Sequence, residues 1–170
     1  MEATFSDQIP LSGDFEEVCF DCHCNDTWVR FLDSENQAWY GIFGRGLSRT
    51  SQVLLMRGGP LCFVLSGGQG YWIDINRRNL ISKTEDDYLE NVTDVPGREL
   101  VVCSNFTNIL FSTPDGLIWD SGRVSMDGIS FEEITNNQIK GRINDLSEEG
   151  APYVLQIDQP DFSCKWKYQV

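Results

Sequence analysis

Residues 61–75 read LCFVLSGGQGYWIDI, and this stretch decides the fold class. Two runs of aliphatic and aromatic residues, Leu61–Leu65 and Tyr71–Ile75, flank the turn dipeptide Gly67-Gly68. Short apolar runs separated by glycine are typical of two antiparallel strands joined by a tight turn. The sequence therefore predicts a β-hairpin near the middle of the chain.

The same pattern continues away from this hairpin. Further strand-like runs stand at Leu100–Cys103, Ile109–Phe111, Leu117–Trp119 and Tyr153–Ile157, and turn dipeptides at Asp115-Gly116 and Asp127-Gly128. Helical periodicity is nearly absent, and only Glu85–Glu90 could form a short helical turn. The chain is predicted to be all-β.

The predicted strands recur about every 40 residues, the period of a four-stranded propeller blade. The first strand of each unit centres on Val18, Cys62, Val102 and Ile139, and the second on Phe31, Tyr71, Leu110 and Val154. The fourth strand of the first three units is placed at Val53–Met56, Tyr88–Val95 and Ile129–Ile134. We therefore expect an antiparallel meander of roughly four blade-like units.

The number of residues fits one domain. The chain has 170 residues, and a domain takes about 150, so we predict a single all-β domain over residues 1–170. The last unit, Gln138–Val170, supplies three strands, and we expect the N-terminal segment Ala3–Ile9 to add the fourth and close a ring. The alternative is a β-sandwich or an open meander without true repeats.

The charge of the chain limits its partners. The 26 acidic and 13 basic residues give a net charge of −13, which argues against nucleic acid and anionic membranes as partners. Met1–Asp7 has no signal-peptide pattern, and no apolar run approaches the ~20 residues of a membrane span. We predict a cytoplasmic protein.

The densest cluster of reactive residues is Cys19–Cys24, which reads CFDCHC. Cysteine, histidine and aspartate are metal ligands, and Cys-x-x-Cys is a zinc half-site when it forms a tight knuckle. In an extended strand the residues alternate, which puts Val18, Phe20, Cys22 and Cys24 on one apolar face. We predict reduced, core-packed thiols without metal, with zinc binding and a redox or disulfide role as alternatives. Cys62 and Cys103 are predicted to be buried thiols.

No catalytic signature stands out. Whether the chain is an enzyme stays open, and we favour a non-enzymatic role. His23, the only histidine, lies near Asp21, but no nucleophile motif accompanies the pair. Asp86-Asp87, Glu132-Glu133 and Glu148-Glu149 are predicted to be solvated charges. Neither a metal nor a cofactor is predicted.

Two local features remain beside these candidates. The glycine-rich segments Gly41–Gly46 and Gly67–Gly70 join strands, so turn geometry explains them better than a phosphate cradle, which needs a helix. Arg45 and Arg49, with Arg57 further on, form a small basic island that could meet an acidic partner or balance local acids.

Surplus aromatic residues suggest a contact surface. Neighbouring residues of a strand face opposite sides of the sheet. In each of the pairs Trp39-Tyr40 and Tyr71-Trp72, the two aromatic side chains therefore lie on opposite faces. We predict that these four residues bind a partner.

The functional hypothesis is a non-enzymatic acidic module that binds a basic protein, in the manner of an immunity or inhibitor protein. The alternatives are a small-ligand or glycan-binding domain, or an enzyme with a cleft near Asp21 and His23. A homo-oligomer is also open, because exposed edge strands invite pairing.

One segment carries a resemblance. Asp115–Arg123, DGLIWDSGR, looks like the third-strand edge of PQQ-type and WD-type propeller blades. The stretch from Trp28 to Ile157 resembles small uncharacterised bacterial β-rich proteins, through the segments Gly70-Tyr71, Asp87-Tyr88-Leu89, Pro96-Gly97-Arg98 and Trp119–Gly128. The resemblance implies a β-rich intracellular fold. It implies no activity and no PQQ site, which in the larger propellers lies at the centre.

Overall fold

The computed structural model describes residues 1–6, 15–23, 26–144 and 150–157. Within these ranges the chain forms strands joined by turns and has no helix, so the all-β prediction is confirmed and Glu85–Glu90 is an irregular loop. The strands are β1 (Glu2–Phe5), β2 (Glu16–Phe20), β3 (Thr27–Leu32), β4 (Ala38–Phe43), β5 (Gln52–Leu55), β6 (Leu61–Ser66), β7 (Gln69–Asp74), β8 (Asn79–Lys83), β9 (Asn91–Asp94), β10 (Val101–Ser104), β11 (Ile109–Thr113), β12 (Gly116–Asp120), β13 (Ile129–Ile134), β14 (Gln138–Ile143) and β15 (Ala151–Gln156).

The contacts divide the chain into two compact units. Unit 1 comprises Met1–Leu89 with Pro114–Gly116, and unit 2 comprises Glu90–Thr113 with the described residues from Leu117 onward. Each unit is described by itself below. The assignment of residues 1–170 to a single domain stays a prediction.

The strands form four blade-like sheets of three or four strands each, as the sequence predicts. Sheet 2 has the order β5-β6-β7-β8 and sheet 3 the order β12-β11-β10-β9, and both are antiparallel meanders. Sheet 4 has the order β13-β14-β15 among the described residues. The hairpin at residues 61–75 is present as β6 and β7.

Sheet 1 departs from a simple meander. Its order is β1-β3-β4-β2, and β2 runs parallel to β4. The N-terminal strand β1 pairs with β3, Glu2 opposite Leu32, so the prediction that Ala3–Ile9 would complete the fourth unit is wrong. Strand pairing between distant segments depends on tertiary contacts that a local pattern does not encode.

The predicted units also start one strand too late. The sequence assigned the segments around β5, β9 and β13 to the ends of units, whereas each of these strands begins a sheet. A period near 40 fixes the distance between equivalent strands but not the strand at which a unit starts.

The first hairpins of sheets 2 and 3 are alike. Met56 N–H donates to the Leu61 carbonyl, and Val95 N–H to the Leu100 carbonyl, each at 2.9 Å. Gly58 and Gly97 take positive φ values of 85° and 77° in these turns, a conformation that glycine adopts without steric cost. The two turns lie 39 positions apart in the numbering.

Each unit has its own apolar core. In unit 1 the aromatic side chains of sheet 1 pack against the β6 and β7 face that carries Cys62, Val64 and Ile73. In unit 2 Val102 and Phe111 pack with Ile139 and Leu155. Cys62 and Cys103 are buried thiols outside any disulfide, as predicted.

No helix in the described part of the chain is long and apolar enough to cross a membrane.

Candidate functional site

The four aromatic residues predicted to bind a partner lie mostly inside unit 1. Trp39, Tyr71 and Trp72 are at most 1% exposed, and Tyr40 is half-buried against Phe15, with ring centroids 4.7 Å apart. The buried three are inaccessible to a partner in this fold, so that part of the prediction is corrected. Tyr71 and Trp72 are buried because sheet 2 buries both of its faces, and Trp39 lies on the face of sheet 1 that packs in the core of unit 1.

The polar atoms of two of these buried aromatic residues form hydrogen bonds to backbone carbonyls. Trp39 Nε1 donates to the Ile75 carbonyl at 3.1 Å, and the Tyr71 hydroxyl donates to the Gly44 carbonyl at 2.9 Å. Burial raises the pKa of Tyr71 to about 12, and the negative charges of Asp21 and Asp26 add to the shift. These residues therefore build the core.

The cysteine segment differs from its prediction. Strand β2 ends at Phe20, and Asp21 takes a positive φ of 53°, so the chain turns where an extended strand was expected. Cys19 and Cys22 come together as a disulfide with their Cα atoms 5.7 Å apart. Cys19 is exposed and Cys22 half-buried, so the prediction of reduced thiols in the core is wrong for this pair.

Cys24, the third cysteine of this segment, lies outside the described residues, as does Cys164 near the end of the chain. Among the residues that the structure describes, no group of three or more histidine, cysteine, aspartate or glutamate side chains is arranged to hold a metal ion.

A cleft of about 970 Å³ opens in unit 1 beside the disulfide. Its lining comprises Phe5, Ser6, Cys22, His23, Asp26, Thr27, Trp28, Ile42, Arg45, Arg49 and Ser51. The volume is in the range of small-molecule sites, about 300–1,000 Å³. We call this space the unit 1 cleft.

Among the described residues, two arginines and one carboxylate line the unit 1 cleft. Both oxygens of Asp26 accept the backbone N–H of His23 at 3.0 Å. The side chains of Arg45 and Arg49 are exposed, and neither takes part in the ion pairs of the described residues. The described part of the lining therefore carries an excess of positive charge, whereas the whole chain is strongly negative.

The guanidinium of Arg45 is held in place. Arg45 Nη1 donates to Thr27 Oγ1 at 3.4 Å, and Ser66 Oγ lies 2.7 Å from the same Thr27 oxygen. A Cβ at position 67 would lie 3.0 Å from Arg45 Cβ and Nε, so Gly67 leaves the space along which this side chain runs. A pre-positioned cation loses little conformational entropy when it binds an anion.

The loop that carries both arginines is fixed by backbone hydrogen bonds. Gly46 N–H donates to the Ser66 carbonyl at 3.0 Å, and Ser48 N–H to the Gly67 carbonyl at 2.8 Å. The Ser48 hydroxyl donates to the Leu89 carbonyl at 2.9 Å. The glycine-rich segments thus join strands, as predicted, and they also anchor the arginine loop.

The paired acids mostly serve as surface charges. Glu132 pairs with Arg142 at 2.9 Å and Glu133 with Lys140 at 2.6 Å, all of them well exposed. Glu148-Glu149 lies outside the described residues. Asp21, expected beside His23, instead forms an ion pair with Lys83.

Comparison with known proteins adds no assignment. No known protein family matches the chain. No curated protein is detectably similar to it in sequence. The resemblance to propeller-type blades stays an expectation, and the site is argued from the geometry of the chain itself.

Sequence reasoning found part of this site. It singled out Arg45 and Arg49 as a basic island and His23 as the lone histidine, but it did not bring them together. Arg57, the third member of the island, is exposed and does not line the cleft. The cleft combines strands β1, β3 and β4 with a loop, and no short motif encodes such a combination.

Proposed function

We propose that this protein is a non-enzymatic binding protein whose unit 1 cleft takes a small anionic ligand with an apolar or aromatic part. The observation that carries the proposal is the pair Arg45 and Arg49, which line the cleft without an ion pair among the described residues. Guanidinium groups bind carboxylates and phosphates through two parallel hydrogen bonds. Trp28 and Ile42 supply apolar surface for the rest of the ligand.

Binding of two aromatic anions, phenyl phosphate and benzoate, tests this proposal, with benzamide as the uncharged match. We expect both anions to bind in calorimetry and Arg49→Gln to weaken binding about tenfold, because a hydrogen bond to a charged group contributes about 1.5–3 kcal/mol. Arg57→Gln removes an exposed arginine outside the cleft and is expected to leave the affinity unchanged. Equal affinities in both variants, or equal binding of benzamide, would contradict the proposal.

A second candidate is the acidic module that binds a basic protein partner. Its support is the loop Thr84–Leu89, in which Glu85 and Asp87 are exposed and take no part in the described ion pairs, and Tyr88 is 36% exposed. The loop is held in place, since Leu47 N–H donates to the Asp87 carbonyl at 2.8 Å. Opposite charge on a partner would speed association and set specificity.

Affinity capture from native lysate in a salt series tests the second candidate. The double variant Glu85→Gln with Asp87→Asn is expected to lose a partner that wild type retains at low salt. The matched pair Glu35→Gln with Glu99→Gln removes the same charge from other exposed positions and is expected to keep it. Retention of the partner by both double variants would rule out the loop as its binding surface.

The proposal includes two broader features. A propeller-like repeat is supported by the matching hairpins of sheets 2 and 3. The second is a cytoplasmic location, which fractionation of cells that express the full-length protein tests.

A further inference from the structure

The disulfide Cys19–Cys22 lies at the surface of unit 1, with one sulfur on the cleft wall. Cys19 is exposed, and Cys22 is half-buried and lines the unit 1 cleft. We propose that this disulfide is a redox-active site that exchanges with small thiols, and that the incoming thiol attacks Cys19. The inference rests on the cytoplasmic location proposed above, because disulfides that form there are usually catalytic or redox-sensing.

The disulfide contributes little as a structural brace. It joins residues only three positions apart, and the stabilisation from a cross-link falls as the closed loop becomes shorter. A long-range brace would instead join strands that are distant in the sequence.

Other contacts hold the loop in the shape that brings the two sulfurs together. Gly44 N–H donates to the Phe20 carbonyl at 3.0 Å. A Cβ at Gly44 would lie 2.1 Å from the Asp21 carbonyl oxygen, so the two backbones are in close contact there. Asp21 also pairs with Lys83. The reduced pair would therefore stay close enough to re-form the bond without reordering the chain.

Positive charge lies in the same cleft as Cys22. Arg45 and Arg49 line that cleft with it, and positive charge near a departing sulfur stabilises the leaving thiolate in thiol–disulfide exchange. Asp26 is the single carboxylate in the described lining, and it is engaged by the His23 backbone. An exposed sulfur to attack and a stabilised leaving sulfur are the two requirements of thiol exchange.

The reaction balances with two thiol molecules. A thiolate RS⁻ attacks Cys19 Sγ, the Cys19–Cys22 bond breaks, and Cys22 leaves as a thiolate. A second RS⁻ attacks the RS sulfur of the mixed disulfide, which releases RSSR and the Cys19 thiolate. The protein disulfide is reduced by two electrons and the two thiols are oxidised to one disulfide.

The test uses the full chain with Cys24 and Cys164 replaced by serine. The protein is equilibrated with glutathione and glutathione disulfide at varied ratios, and separately with 2-mercaptoethanol and its disulfide. It is then alkylated under native conditions and mapped by mass spectrometry. Glutathione is an anion, whereas 2-mercaptoethanol is uncharged. Reduction by 2-mercaptoethanol therefore reports thiol exchange without anion binding in the cleft. Loss of anion binding alone would overturn only the proposed function.

We expect both thiols to reduce Cys19–Cys22 reversibly, with an unchanged thermal midpoint and with Cys62 and Cys103 unlabelled. The Cys22→Ser variant is expected to trap one glutathione on Cys19. Cys19→Ser is expected to react at least tenfold more slowly, because Cys22 is half-buried. Resistance of the disulfide to both thiols until the chain unfolds, or a lowered thermal midpoint on reduction, would overturn the proposal and assign a structural brace.

Discussion

At the residue scale, burial decides which reactive groups can act. The Cys62 thiol is fully buried, and loss of hydration raises its pKa from 9.0 to about 12. A thiol that stays protonated is a poor nucleophile. The exposed Cys19 has the opposite environment, so the two kinds of cysteine in this chain differ in chemistry because they differ in solvent contact.

The alkaline stability of the protein follows from the same burial. The unfolded chain ionises Cys62 from about pH 9, whereas the folded chain keeps it protonated until about pH 12. The free energy of unfolding is therefore expected to be unaffected by this group below pH 9 and to decline as pH rises through that window. Urea denaturation at a series of pH values measures this decline in the free energy of unfolding.

The variant Cys62→Val removes the part of this decline that starts near pH 9. It leaves the part due to Tyr71, whose pKa is raised from 10.0 to about 12. Identical pH profiles for wild type and Cys62→Val would refute this assignment.

At the element scale, close backbone contacts position the arginine loop against the loop Thr84–Leu89. Gly46, in the arginine loop, makes one of these contacts. A Cβ at Gly46 would be 2.2 Å from the Asp87 carbonyl oxygen and 2.8 Å from the Gln69 nitrogen. Since both neighbours are backbone atoms, neither can move aside without shifting its loop.

Gly46→Ala is therefore expected to destabilise the protein by about 1–3 kcal/mol, the usual cost of overpacking. Gly59→Ala is the matched control, because a Cβ there has nothing within 4 Å. It is expected to change the stability by less than about 0.5 kcal/mol. Urea denaturation compares the two, and equal effects would show that the close contact at Gly46 is not the cause.

At the scale of the whole molecule, the excess of negative charge dominates. The chain carries a net charge of −13, and self-repulsion destabilises a compact state. The exposed ion pairs, such as Lys140 with Glu133, contribute little in return.

Added salt is accordingly expected to stabilise the protein. Raising sodium chloride from low concentration to about 0.15 M shortens the screening length to about 8 Å and weakens the repulsion. The thermal midpoint should rise over that range. A fall would mean that the screened ion pairs outweigh the net repulsion.

The local elements of this protein are encoded in its amino-acid sequence. Alternating apolar runs and glycine turns encode strands and hairpins because side-chain direction in a strand repeats every two residues. The hairpin of β6 and β7, the all-β class and the burial of Cys62 and Cys103 follow from such patterns. The basic pair Arg45 and Arg49 was also visible as a cluster in the sequence.

Which segments meet depends on long-range packing. It placed β1 beside β3, shifted each unit by one strand and buried Trp39 and Tyr71. It also turned the chain at Asp21, which joined Cys19 to Cys22 and brought Cys22 into one cleft with Arg45. The physical reason is that strand partners and cleft walls are chosen by contacts between residues far apart in the chain, and these contacts leave no periodic signal in the local sequence.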